Sequence, residues 1–292
     1  MGIFDEYKAQ FKRPNNALIQ LILINVTVFV VTALLVVITP SFGNLISSFL
    51  ILPRPIEVFI YKPWTLLTYS FMHGDLGHIF FNMLGLYFFG RVISDLLGSK
   101  RLVSVYILGA IAGAVTFLIA YNLISYYSHQ FTGGMVGASA AIYAIIVAAA
   151  FTAPEYEFHL FMMFRVKLKY IALFYVFISL LSIKGNNAGG NLAHLGGALI
   201  GYIYIKSLRR GIDMGKPIEQ FLSFFTDFKP PKIMFKPKPK MKVSKNDRGT
   251  SSNTSVSNKK ASQEEIDRIL DKINDSGYES LTKEEKAKLF SS

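Results

Sequence analysis

The chain of 292 residues has no cysteine. That absence excludes disulfides, thiolate metal sites and a cysteine nucleophile. Charge is scarce as well: Asp, Glu, Lys and Arg make up 17% of the residues, against about 25% in an average soluble protein. What charge there is lies unevenly, with 22 such residues in positions 1–210 and 28 in the last 82. No His-Glu-x-x-His occurs, so a helix-borne metalloprotease site is excluded. No two acids share one depth of an apolar run: Asp75 lies on the outer loop and Asp95 at the inner end of the following span. An aspartyl pair therefore fits poorly. No internal repeat is visible and few charges are buried, which argues against a transporter. The net charge of +12 flanks apolar segments, where it sets membrane topology. No nucleic-acid partner is expected.

Apolar residues make up 51% of the chain, and six runs approach the about 20 residues that cross a bilayer. They lie at roughly 17–39, 78–97, 101–124, 136–153, 167–184 and 190–208. The first follows a charged leader, residues 1–15. It is too long for a signal peptide and lacks a clear cleavage site, so it is expected to be retained. Lys8, Lys12, Arg13, Lys100, Arg101, Arg165, Lys167, Lys169, Lys206, Arg209 and Arg210 gather on one side; only Arg54, Lys62 and Lys184 fall on the other. The positive-inside rule then puts both termini in the cytoplasm. Residues 40–77 form a long outer loop in which Phe49, Phe59, Tyr61 and Trp64 suit the membrane interface.

Polar side chains at membrane depth are costly and mark function. Ser139 is the one serine in "GGMVGASAAIYAIIVAAA", two residues after Gly137. His194 opens the sixth run, beside a smooth stripe of Ala193, Gly197 and Gly201; Ala140, Ala144 and Ala148 make a similar stripe beside Ser139. Small residues at that spacing let two helices approach closely. The approach would bring the hydroxyl to the imidazole, the pairing a serine nucleophile needs. His78 and Asn82, four apart, share a helix face and supply donors for a developing oxyanion. Each has a structural explanation taken singly, as helix packing or interhelical glue. Together they supply a nucleophile, a base and oxyanion donors on the same outer half. No acid is placed to orient His194, so the two would act as a dyad. His129 and His159 fall in loops on opposite sides and receive no role.

These motifs, in this order, resemble the rhomboid intramembrane serine proteases over about residues 16–208. "HGDLGHIFFN" resembles the family's second-helix pattern, with His73, His78 and Asn82. "GASA" stands at its Gly-x-Ser-x motif, Tyr143 at its histidine-packing tyrosine, and "AHLGGALIG" at its sixth-helix histidine and Gly-x-x-x-Gly. The resemblance implies an all-α membrane protein, a six-transmembrane-helix bundle with a long interfacial first loop and a cytoplasmic tail, in a bacterial inner membrane. It implies Ser139 as nucleophile and His194 as general base. His78, Asn82 and the Ser139 backbone N–H would form the oxyanion hole, with Gly137, Tyr143, Gly197, Gly201 and His73 supporting. The substrates would be transmembrane proteins cut near the outer ends of their helices, with no cofactor and no metal. The fifth helix and "KGNNAGG" would gate the site. The competing function is an inactive relative that binds and escorts membrane helices.

Three positions depart from the family pattern. Ala140 replaces a common Gly; its one extra methyl is expected to be tolerated, at the cost of a tighter oxyanion region. Thr65 follows Trp64 where an arginine is common, removing a loop anchor. Ser94, with Asp95 beside it, stands where a Glu is usual. Beyond the bundle, residues 211–261 read as a basic Pro/Ser-rich linker attracted to anionic lipid. Residues 262–292 read as two short amphipathic helices with capping boxes at Ser262/Glu265 and Thr282/Glu285. They resemble a tail segment of rhomboids from Bacteroidetes-type bacteria; two readings stand, a segment that docks on a partner or under the membrane domain and a weakly folded appendage.

Overall fold

The computed structural model describes residues 16–128, 133–160, 164–185 and 187–226, and in the tail 268–269, 271–272, 281–282 and 284–285. The leader 1–15, His129, the Ser262/Glu265 box and most of the linker lie outside the described residues.

Eleven α-helices are described in residues 16–226: α1 Ala17–Ile38, α2 Pro40–Leu50, α3 Ile56–Phe59, α4 Thr65–Thr68, α5 Leu76–Leu97, α6 Ser99–Leu123, α7 Ser125–Ser128, α8 Ser139–Thr152, α9 Leu168–Leu181, α10 Ala188–Arg209 and α11 Lys216–Thr226. Every one of the six apolar runs is a helix. Three, α1, α5 and α6, are long and apolar enough to cross a bilayer by length and composition. Helices α8 and α9 have 14 residues each.

Small residues bring α6, α8 and α10 together. A Cβ on Gly197 would stand 2.0 Å from the carbonyl oxygen of Ala140, and one on Gly201 would stand 2.3 Å from that of Ala144. Gly109 and Gly113 of α6 meet Ala144 and Ala140 from the other side, at 2.6 and 2.4 Å by the same measure. In lipid there is no hydrophobic drive between helices, so close backbone packing supplies the attraction. The methyl of Ala140 meets Gly113 on α6, which has no side chain there, so the structure has room for it.

The first loop is mostly ordered into helix. Pro40 starts α2, which folds back on α1 at Gly43, where a Cβ would strike Val36 at 2.4 Å. No arginine follows Trp64, yet the loop is held. Trp64 Nε1 donates to Phe49 O at 2.9 Å, Lys62 Nζ to Ser48 O at 3.0 Å and Thr68 Oγ1 to Leu50 O at 2.8 Å. Thr65 is fully buried and donates to Lys62 O at 2.6 Å. At the end of α6, Asn122 clamps the same loop, donating to Arg54 O and accepting from Ile56 N. Ser94 lies 3.3 Å from Ser99 Oγ, and Asp95 pairs with Arg91.

Two expectations are corrected. The chain is not wholly α-helical: Glu157–Leu160 (β1) pairs antiparallel with Phe164–Lys167 (β2). Phe158 and Val166, paired across the ribbon, are β-formers among charged neighbours. Nor is all of 211–261 a linker. Asp213 accepts from Arg101 Nε at 3.0 Å, Tyr204 at 3.2 Å and Gly215 N at 2.9 Å, tying the start of α6 to the exit of α10. Helix α11 starts three residues later, with Ile218, Phe221, Leu222 and Phe225 at helical spacing. Burial of Asp213 opposes ionisation, but hydrogen bonds from Arg101, Gly215 and Tyr204 outweigh it and hold the carboxyl below its ordinary value.

The tail forms a separate compact unit. In it, Thr282 N donates to Glu285 Oε2 at 2.8 Å and Glu285 N to Thr282 Oγ1 at 3.3 Å, a reciprocal capping box. Lys272 pairs with Glu285 at 3.0 Å, and Ile269 and Leu281 are buried.

Valine at Gly197 or Gly201 should lower stability in detergent by about 1–3 kcal/mol per site. Gly74→Ala, whose Cβ would meet nothing nearer than 4.0 Å, should stay within about 0.5 kcal/mol of the parent. Thermal denaturation compares them; equal losses at all three would contradict the packing argument. Asp213→Asn should cost about 1–2 kcal/mol at neutral pH. Because the folded carboxyl sits below its ordinary value, its contribution is complete above that value. It is lost as the pH falls through the lowered one, so the parent–variant gap should close in strong acid.

Candidate active site

Ser139 owes its position to the segment before it. Gly134–Gly137 is hung from the first loop: Leu52 N donates to Met135 O, Met135 N to Leu52 O at 2.9 Å, and Gly137 N to Tyr69 O at 3.0 Å. Tyr69 is itself fixed, donating its hydroxyl to Ala110 O of α6 at 2.8 Å. Gly137 turns with φ of 117°, a conformation suited to glycine, and Ala138 caps α8 without a side-chain hydrogen bond. Ser139 is therefore the first residue of α8, and its N–H has no intrahelical acceptor. The positive end of the helix dipole faces the same space.

The packing of α8 on α10 sets the next contact. His194 Nε2 lies 2.8 Å from Ser139 Oγ. The imidazole is stacked on Tyr143, one turn on from Ser139, with ring centres 4.2 Å apart and planes 12° from parallel. A cavity of about 420 Å³ opens over the pair, lined among others by His78, Gly137, Tyr121, Asn187 and Gly190. It lies where α8 and α10 begin and α6 ends.

His78 and Asn82 reach this site by way of Gly137. A Cβ on Gly137 would stand 2.6 Å from His78 Nε2 and 3.7 Å from Asn82 Nδ2. Asp75 caps α5 by accepting from the His78 backbone N–H at 2.8 Å, which orients the first turn. Asn82 is 7% exposed, and its Nδ2 has no hydrogen-bond partner among the described residues. A buried amide donor left open is costly unless something else uses it. His73 lies elsewhere. Its ring stands edge-on to His78 at 5.1 Å between centres, and it lines a separate cavity with Phe29, Thr32 and Met72. It backs His78 and does not enter the space over Ser139.

One residue in the site escaped the sequence argument. Ser179 of α9 is fully buried, with its Oγ 3.2 Å from His194 Nδ1 and 2.8 Å from the Tyr143 hydroxyl. The signal was available: Ser179 is the lone serine in "IALFYVFISLL", as Ser139 is in its own run. The imidazole thus has a hydroxyl at each nitrogen.

Comparison with known proteins bears on the whole helical unit. A model of the rhomboid domain matches residues 61–211, just over half of the chain. A family of unknown function, DUF6576, matches residues 256–291. RHOMBOID-like protein 12, mitochondrial, of Arabidopsis thaliana is 34% identical over 157 residues, covering 50% of this chain and 47% of that protein. Rhomboid-like protein 16, chloroplastic, of the same plant is 31% identical over 159 residues, covering 50% and 49%. Rhomboid protein 1, mitochondrial, of Saccharomyces cerevisiae is 26% identical over 199 residues, covering 65% and 53%. The chain spans about half the length of the curated relatives it matches. The matched span runs from the first loop through the Ser139 and His194 helices, so the chain belongs to the rhomboid family.

Proposed function

We propose that this protein is an intramembrane serine endopeptidase that hydrolyses peptide bonds in or near transmembrane helices. The observation that carries the reading is the 2.8 Å contact between Ser139 Oγ and His194 Nε2, beneath a cavity at the start of α8. His194 takes the Ser139 proton as the oxygen attacks the substrate carbonyl. The negative oxygen of the tetrahedral intermediate is met by the Ser139 N–H, His78 and the open Nδ2 of Asn82. His194 then passes the proton to the departing amine, leaving an acyl-serine. Water, deprotonated by the same imidazole, attacks the acyl-serine, and the imidazolium returns that proton to Ser139 Oγ as the second product leaves. Every proton is then accounted for by the dyad and one water.

The reading includes six spans, with both termini on the cytoplasmic side of a bacterial inner membrane. The excess of Lys and Arg at one end of the helices supports the orientation. The likeness of the tail to bacterial rhomboid tails supports the setting. The length of α8 supports the depth of the site. Fourteen residues make a helix of about 21 Å, less than the ~30 Å of the hydrocarbon core. With its C-terminal end at the basic loop, α8 stops short of the outer face, and Ser139 stands below that face, open to water from outside. Helical peptide bonds are shielded by their own hydrogen bonds, so substrates with small or helix-breaking residues at the cut should be preferred. The tail, on this reading, binds a partner or anionic lipid.

A fluorescent fluorophosphonate should label the detergent-solubilised protein and fail to label Ser139→Ala and His194→Ala. Labelling that survives in Ser139→Ala would refute the assignment of the nucleophile. No labelling of a folded parent, even in liposomes with a model helix present, would favour helix binding without hydrolysis. Asn82→Ala should reduce kcat about 10²-fold, the scale of one oxyanion donor. Gly137→Ala pushes a methyl at His78 in a backbone conformation that disfavours it, and should lower kcat with little change in KM. A variant as active as the parent would separate His78 from the chemistry.

A further inference from the structure

Ser179, Tyr143 and the Tyr175 carbonyl form a chain that ends in a group able only to accept. The Tyr143 hydroxyl stands 3.3 Å from Tyr175 O, and Ser179 Oγ stands 2.8 Å from the Tyr143 hydroxyl and 3.2 Å from His194 Nδ1. A carbonyl has no proton to give. The tyrosine proton must therefore point at Tyr175, because two oxygens facing each other without a proton repel. The tyrosine oxygen then accepts from Ser179, whose proton is committed there. The remaining contact of Ser179 is filled only if the imidazole carries its proton on Nδ1. That leaves the Nε2 lone pair facing Ser139.

We propose that Ser179 is a positioning residue that holds His194 in the Nδ1-protonated tautomer, so that Nε2 is free to accept the Ser139 proton. The proposal rests, for its catalytic consequence, on the serine-hydrolase reading above; the tautomer itself is a property of the folded protein. Where serine proteases use a carboxylate to set the tautomer of the histidine, this chain uses a neutral hydroxyl whose polarity is fixed through Tyr143 by a backbone carbonyl. Because Ser179 and Tyr175 belong to α9, while Tyr143 and His194 belong to α8 and α10, the lock closes only with α9 seated against its neighbours. Displacement of α9 releases Nδ1 from its acceptor while the contact between Ser139 and His194 stays on the rigid pair of helices.

The test is nitrogen-15 NMR of the detergent-solubilised full chain labelled at histidine, with His194 assigned by its loss in His194→Ala. The parent should show a proton bonded to Nδ1 and an unprotonated Nε2. Ser179→Ala and Tyr143→Phe should each shift His194 towards a mixture of tautomers. Ser179→Ala, smaller than the parent residue and expected to fold, should slow fluorophosphonate labelling and kcat roughly 10-fold, the lower scale of an outer-shell partner, with KM unchanged. Ser179→Thr should restore both. A proton on Nε2 in the parent, or an unchanged tautomer in Ser179→Ala, overturns the proposal whatever the activity. A parent with the Nδ1 tautomer but no labelling overturns the hydrolase reading and leaves the tautomer assignment standing.

Discussion

The absence of side chains at Gly197 and Gly201 governs the site. At these positions the backbone of α10 lies against the Ala140 and Ala144 carbonyls of α8, with no room for a Cβ. The hydrogen bond of a short serine to an imidazole needs that proximity: Oγ reaches only a little beyond Cβ, so any extra spacing between the helices would open the 2.8 Å contact. On the far side, Gly109 and Gly113 let α6 press α8 from behind. Ser139 and His194 are therefore held together by a three-helix unit whose attraction comes from close contact, the form of attraction that persists in lipid.

The loop side of the site depends on a different physics. The strand-like stretch into Ser139 has no small-residue stripe to hold it. Backbone hydrogen bonds to Leu52 and Tyr69 hold it instead, and Trp64, Lys62, Thr68 and Asn122 hold the first loop that supplies them. Their division of labour explains why Thr65 is tolerated where the family often has arginine. Several modest anchors, each to a backbone carbonyl, do what one guanidinium otherwise does. The methyl of Ala140 is tolerated for a similar local reason, since Gly113 makes room for it on α6.

Much of this was legible in the chain of letters, and the boundary of legibility has a physical cause. Apolar runs fixed the six helices to within a few residues, because each is long enough to average over local preferences. The proximity of Ser139 and His194 was readable from two stripes of small residues at a four-residue period. Ser179 was not readable in the same way. Its role depends on which way α9 faces, and that helix is apolar nearly all round, with Leu173, Phe174, Phe177 and Leu181 exposed. A helix without an apolar stripe gives no rotation from sequence. The β1–β2 ribbon was missed because eight residues in a charged loop alternate too briefly to stand out, and α11 because a Pro-rich, basic stretch hid the apolar spacing at its start.

The same contrast between helices bears on how the site works. The helices α6, α8 and α10 meet through backbone and methyl groups, surfaces that tolerate almost no displacement before atoms collide or contact is lost. Helix α9 meets them through long side chains and a few hydroxyls, and it shows large apolar groups outward, a surface that can slide and repack. On the proposed reading a substrate helix reaches the cavity over Ser139 by parting some helices, and a displacement of α9 would leave the Ser139–His194 contact between α8 and α10 in place. Its movement does not leave the imidazole's proton untouched, because Ser179 and the Tyr175 carbonyl travel with it. On the proposed reading, a base held rigidly to its nucleophile but with its tautomer set through α9 has its geometry ready at all times and its proton in place only when α9 is in contact.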